Sequence, residues 1–200
     1  MRSRRVGVLG GTFDPIHNGH LAAASEVADR CELDEVVFVP AGQAYHKADS
    51  AVSDAEDRYS MTVLATAAHP KFRVSRVDID RGGATYTVDT LRELRREYGQ
   101  DAELFFIIGA DTVETVLTWK AVDEVFSLAT FVAVNRPGHR RENSRLPSHA
   151  VLVMVDIPDF GVSSTDCRER VAQGRPIWYQ LPSDVVRYID SRGLYRQESA

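Results

Sequence analysis

Near the start of this chain a strand, a glycine turn and a helix follow one another directly, and that unit restricts it to a small set of folds. Val6-Gly-Val-Leu9 is a short apolar run of the kind seen in a strand buried on both faces. Gly10-Gly11-Thr12-Phe13-Asp14-Pro15-Ile16-His17-Asn18-Gly19-His20 follows it, and residues 21–30 then place Leu21, Ala24 and Ala28 on one helical face. Such a turn aims backbone N–H groups and the positive end of a helix dipole at an anion. His17 and His20 add two ring donors that can carry charge near neutral pH.

The same alternation continues. Residues 35–39 read as a strand ending in Pro40-Ala-Gly42, residues 104–108 as one ending in Gly109-Ala-Asp111, and residues 131–134 as one ending in Asn135-Arg-Pro-Gly138. Residues 72–77 and 151–155 read as further short strands. The spacing of Tyr59, Val63 and Ala67 predicts a helix over 54–68, and Ser183 follows Pro182 into a helix reaching 192. Thr90-Leu-Arg-Glu93 reads as a capping box opening a helix marked by Leu91, Leu94 and Tyr98 and stopped at Gly99. Residues 43–53 and 136–149 are polar and read as loops. Repeated βα units imply a parallel sheet covered by helices on both faces. Ligands of such sheets bind beyond the carboxyl ends of the strands, so the turns after these strands are expected to converge on one cleft.

Composition narrows the function classes. With 200 residues the chain is expected to form a single domain, 1–200. A formal net charge of −5 argues against a surface that coats nucleic acid, whereas a phosphate substrate needs only a local cluster of donors. The apolar runs 104–108 and 129–134 are too short to span a bilayer, and no long apolar stretch follows Met1-Arg-Ser-Arg-Arg5. Cys31 and Cys167 give no disulfide framework; the expectation is a cytoplasmic enzyme with no membrane or nucleic-acid partner. No Gly-Lys-Ser/Thr follows the glycines, and Gly7, Gly10 and Gly11 miss the dinucleotide spacing. His17, His20 and His46 could share a metal, but no cysteine or carboxylate stands beside them at a ligand spacing.

A second motif, Val162-Ser163-Ser164-Thr165-Asp166-Cys167-Arg168, offers hydroxyls at a helix start and a planar cation suited to phosphate. Taken alone it also reads as an ordinary cap with a surface arginine. Together with the first motif it resembles the nucleotidylyltransferase superfamily, with its His-x-Gly-His turn and its C-terminal Ser-Ser/Thr-Thr-x-x-Arg segment. Val162 and Cys167 stand where that superfamily usually has Ile. Asp78-Ile-Asp-Arg-Gly-Gly-Ala-Thr-Tyr-Thr-Val-Asp-Thr-Leu91, then Gly109-Ala-Asp111, Trp119, Arg136-Pro-Gly138 and Trp178-Tyr-Gln-Leu-Pro182, narrow the resemblance to nicotinate-nucleotide adenylyltransferases over nearly the whole chain. Ala44-Tyr45 precede His46-Lys47 where that family often has two prolines.

The resemblance implies a Rossmann-like, doubly wound α/β parallel sheet with a small C-terminal helical extension. It also implies transfer of the adenylyl group of ATP to nicotinate mononucleotide, with Mg²⁺ accompanying ATP and no metal ligand from protein side chains. His17, His20, Lys47 and Arg168 are then the catalytic residues. Gly10, Gly11, Thr12, Gly109, Asp111, Arg136, Ser163, Ser164 and Thr165 complete the ATP side; Thr85, Tyr86, Thr87 and Trp119 form the mononucleotide side. Asp14 is expected to brace the turn rather than act as a base. Three alternatives stay open in the sequence: an acceptor such as nicotinamide mononucleotide or phosphopantetheine, a nucleotide-sensing module without turnover, and, for Trp119, a purely core role. Homo-oligomerisation also stays open.

Overall fold

Among the described residues six short strands align in parallel to make the centre of the molecule, the inner four apolar and covered on both faces, the edge strands more exposed. The computed structural model describes residues 2–43, 52–135, 146–158 and 160–196. The strands are β1 (Arg5–Gly11), β2 (Glu35–Pro40), β3 (Phe72–Val74), β4 (Glu103–Gly109), β5 (Thr130–Asn135) and β6 (Leu152–Asp156), in the order β3-β2-β1-β4-β5-β6. The chain winds outward from β1 in one direction and returns to β1's other side with β4. The switch point of this α/β sheet therefore lies between β1 and β4, where ligands of doubly wound sheets bind.

Among the described residues seven α-helices cover the sheet: α1 (Asn18–Arg30), α2 (Ala55–Thr66), α3 (Val77–Arg81), α4 (Thr87–Tyr98), α5 (Val122–Leu128), α6 (Ser164–Ala172) and α7 (Ser183–Arg192). Strand side chains alternate between two cores. Val36, Phe38, Phe105, Ile107 and Val132 pack with Ala24 and Val27 of α1, Met61 of α2, Cys167 of α6 and Ile189 of α7. Val37, Val39, Leu104, Phe106, Phe131 and Ala133 pack on the opposite face with Leu91 and Leu94 of α4 and Val125 and Phe126 of α5. Both cysteines are buried and unbridged. No described helix is long and apolar enough to cross a membrane.

One sequence expectation about the helices is met and two about element bounds are corrected. The helix expected over 54–68 is α2, and its buried residues are Asp57, Arg58, Met61, Thr62 and Thr66 rather than the Tyr59, Val63 and Ala67 that announce it. The two inner threonines are satisfied within the helix: Thr62 Oγ1 donates to the Arg58 carbonyl and Thr66 Oγ1 to the Thr62 carbonyl. Thr90 opens no helix, because α4 begins at Thr87 and Thr90 lies in its interior, its hydroxyl donating to Asp78. Beyond Val74 the chain turns into α3 rather than extending the strand to 77.

Arg58 is the largest fully buried side chain, 2 % exposed, and it serves carbonyls rather than a carboxylate. Nε donates to Ser53 at 3.0 Å, Nη1 to Thr12 at 2.9 Å and Nη2 to Gly42 at 2.9 Å. Burial lowers its pKa from the ordinary value, while Asp14 and Asp54 nearby oppose that shift. Each buried carbonyl left without a donor costs on the order of 1–3 kcal/mol, so Arg58→Met is expected to destabilise the fold by about 3–5 kcal/mol in urea denaturation. A loss below about 1 kcal/mol would mean that the three carbonyls find other donors.

Candidate active site

The carboxyl ends of β1, β2, β4 and β5 open into one cleft of about 1030 Å³, as the parallel topology requires. Twelve of the residues singled out from the sequence line it: Gly10, Gly11, Thr12, His17, His20, Thr85, Tyr86, Thr87, Gly109, Asp111, Trp119 and Ser163. Ser164, Thr165 and Arg168 are described but are not among the lining residues. Lys47, Arg136 and the neighbouring His46 lie outside the described residues.

The histidine end is built on the start of α1. His17 is the N-cap residue and His20 sits one turn later, so both rings stand at the positive end of the helix. Their rings stack with centroids 3.6 Å apart, and the Phe13 ring meets His20 edge-on at 5.2 Å. His20 Nδ1 accepts the His17 backbone N–H at 3.2 Å. In the neutral ring the proton is therefore carried on Nε2, which can donate to an anion.

The turn between β1 and α1 is fixed by side chains from distant helices. Besides Arg58 on the Thr12 carbonyl, Arg168 Nη1 donates to the Asp14 carbonyl at 2.7 Å and Ser164 Oγ to the Pro15 carbonyl at 2.8 Å. The buried Asp14 carboxylate accepts the Tyr195 hydroxyl at 2.6 Å and the Ser53 N–H at 3.3 Å. Burial first, and then the bond to Asp14, hold the Tyr195 phenol protonated throughout the working pH range. Asp14 thus braces the turn. Arg168 and Ser164 spend donors on the same turn, and Ser163 caps α6 by accepting the Asp166 N–H at 3.1 Å.

The opposite end of the cleft is aromatic. Trp119 packs edge-on against Phe106 with centroids 5.9 Å apart, so it belongs both to the core and to the cleft wall. Thr85 Oγ1 accepts the Gly42 N–H at 3.2 Å, tying the 84–87 segment to the end of β2. A side chain at Gly42 would collide with the Asp78 carbonyl oxygen, and one at Gly109 with the Asp111 carboxylate.

Sequence reasoning passed over Asp78, Thr90, Lys120 and Asn135 as lining residues. Asp78 and Thr90 lie within the quoted 78–91 segment, but no sequence signal marks the carboxylate as buried or pairs it with the Thr90 hydroxyl. Burial raises the Asp78 carboxyl to about 6, against the opposing Thr90 hydrogen bond and Arg81 ion pair. Between the ordinary 3.8 and about 6 the folded protein holds a proton that the unfolded chain has lost. The group's contribution to stability is therefore full below 3.8 and declines as pH rises through about 6. Asp78→Asn is expected to gain stability relative to the parent between about pH 4 and pH 7, measured by urea denaturation of both proteins; a constant difference across that range would contradict the assignment.

Comparisons with known proteins agree with this geometry. Residues 8–170 match the family model described as Cytidylyltransferase-like. A relative in Salinispora arenicola, named probable nicotinate-nucleotide adenylyltransferase, is 60% identical over 189 residues, covering 94% of this chain and 100% of its own. A Streptomyces coelicolor protein of the same name is 60% identical over 190 residues, covering 95% and 100%. The solved Plasmodium falciparum nicotinic acid mononucleotide adenylyltransferase complexed with NaAD superimposes with a TM-score of 0.78 over 96% of this chain and 97% of its own, at 17% identity, a likeness of fold. The chain belongs to the cytidylyltransferase-like family and, within it, to the nicotinate-nucleotide adenylyltransferases.

Proposed function

We propose that this protein transfers the adenylyl group of ATP to nicotinate mononucleotide, releasing pyrophosphate and forming nicotinate adenine dinucleotide. The carrying observation is the division of one cleft into two unlike ends, a histidine-bearing helix start and a wall of Trp119 and Tyr86. A volume near 1030 Å³ exceeds what one drug-sized ligand needs and suits two nucleotides held end to end.

In this reading the triphosphate lies across Gly10, Gly11 and the start of α1, with His17 and His20 donating to its α- and β-phosphates. A phosphate oxygen of the mononucleotide attacks the α-phosphorus in line, the bond to the bridging oxygen breaks, and pyrophosphate carries away the electron pair. No side chain needs to act as nucleophile. His20, donating from Nε2, stabilises charge that grows on the phosphate oxygens during transfer. Asp111, set over Gly109, accepts a ribose hydroxyl of ATP. Trp119 covers the pyridine ring. Lys47 and Arg168 extend the phosphate contacts, and Arg136 belongs to the adenosine side.

In this reading Mg²⁺ accompanies ATP, held mainly by phosphate oxygens and water. Mg²⁺ bound to ATP supplies neutralisation of phosphate charge. A cytoplasmic setting completes this reading.

Pyrophosphate release with Mg-ATP, comparing nicotinate mononucleotide with its amide at equal concentrations, tests the assignment. A strong preference for the acid is expected; no release with either acceptor from a folded, ATP-binding protein would overturn it in favour of a sensing module. His20→Ala is expected to lower kcat by about 10²–10³ while ATP affinity changes far less, as for loss of a donor engaged in the transition state. Near-normal turnover in that variant would remove His20 from the chemistry.

A further inference from the structure

Two anionic nucleotides must enter a cleft whose described lining holds a single lysine or arginine, Lys120. It stands at the aromatic end, directly after Trp119. Its ammonium lies 4.3 Å from the centre of the Tyr86 ring and 3.2 Å from Asp89 Oδ2, and its side chain is half exposed. Asp89 does not depend on Lys120 for its charge balance, because Arg92 also reaches it at 3.0 Å. The other carboxylate at this end, Asp78, is already closed by Arg81 and Thr90.

We propose that the Lys120 ammonium determines the preference for a carboxylate-bearing pyridine ring, an inference that rests on the adenylyl-transfer reading above. A ring held against Trp119 and Tyr86 brings its substituent to the level of this ammonium. A carboxylate there draws the flexible lysine stem away from Asp89, which keeps Arg92, and gains a charge-assisted hydrogen bond. A carboxamide offers no charge to compete with Asp89. Selectivity is the difference between the two.

The rival role is a plain bridge from Lys120 to α4 through Asp89, and the two roles differ in sign. Steady-state kcat and KM are measured for nicotinate mononucleotide and for its amide, with Mg-ATP, in the full chain and in Lys120→Met, Lys120→Arg and Asp89→Asn. Lys120→Met is expected to lower the acid-to-amide ratio of kcat/KM about tenfold, mainly through KM for the acid. Lys120→Arg should keep most of the ratio, and Asp89→Asn should keep or raise it. An unchanged ratio in Lys120→Met overturns the proposal. So does a ratio that Asp89→Asn lowers as much as Lys120→Met, which marks a structural bridge, or an equal loss on both acceptors, which puts the ammonium on a phosphate. If the parent protein releases no pyrophosphate with either acceptor, the adenylyl-transfer reading itself fails; a parent that turns over with Lys120→Met unchanged leaves that reading standing and removes only Lys120.

Discussion

Three backbone obligations within one turn govern this molecule: the carbonyls of Thr12, Asp14 and Pro15 each need a donor after β1 ends. Arg58 of α2, Arg168 and Ser164 of α6 supply them, and the Asp14 carboxylate returns the favour by accepting Tyr195 and Ser53. A turn left to itself would satisfy those groups with water and sample many shapes. Clamped from two helices and the C-terminal segment, it delivers the start of α1 in one orientation. The far side of that start is held as well, since the Asn18 N–H donates to the Gln180 carbonyl at 2.9 Å and its side chain to the Tyr179 carbonyl at 2.7 Å. The stacked rings of His17 and His20 inherit their placement from these bonds.

The parallel sheet supplies what the clamp cannot, which is a second wall at a fixed distance. Because β1 and β4 are neighbours in register, the turn after one faces the turn after the other across the switch point. The sheet's two cores hold different parts of the site. Residues 18–30, 55–66 and 164–172, which frame the histidine turn, pack on one face; residues 87–98 and 122–128, which frame the aromatic end, pack on the other. A change in one core therefore reaches one end of the cleft first. The two ends of the cleft thus rest on different cores of one sheet.

The central strands were legible because burial on both faces leaves an unbroken apolar run, whereas β3, half-buried at the edge of the sheet, showed only as an alternation over 72–77. The cleft's main residues were legible for a related reason: a ligand site at strand ends must lie at the end of each run. Illegible was everything that depends on a polar group turned inward. Arg58 in a helical segment reads as solvent-facing, and only the three carbonyls it meets in space reverse that. Tyr59 and Val63 carried the apolar signal of α2, yet the inner face went to residues that could serve the backbone. The 3₁₀ turns at Thr112–Glu114 and Val116–Thr118, and the short α5, gave too few residues for a period to show.

The segment from Asp78 to Leu91 shows why fold and site cannot be assigned to different residues here. Val88 and Leu91 anchor α4 in the core, Thr90 and Arg81 neutralise the buried Asp78, and Thr85 accepts the Gly42 N–H that ends the β2 turn. Each of these bonds is structural by energy, yet together they set where Tyr86 and Thr87 meet the cleft. Asp78 pays for its burial with a raised pKa, and nothing in the core requires a carboxylate there: an amide would accept the same Thr90 hydroxyl at lower cost. What a carboxylate adds is a fixed position for Arg81, and through Arg81 for Glu93 on α4, at 3.0 Å. The short helix α3 and the first turns of α4 are thereby locked to one another. The segment between them, which carries Thr85 and Tyr86 to the cleft wall, is held at both ends.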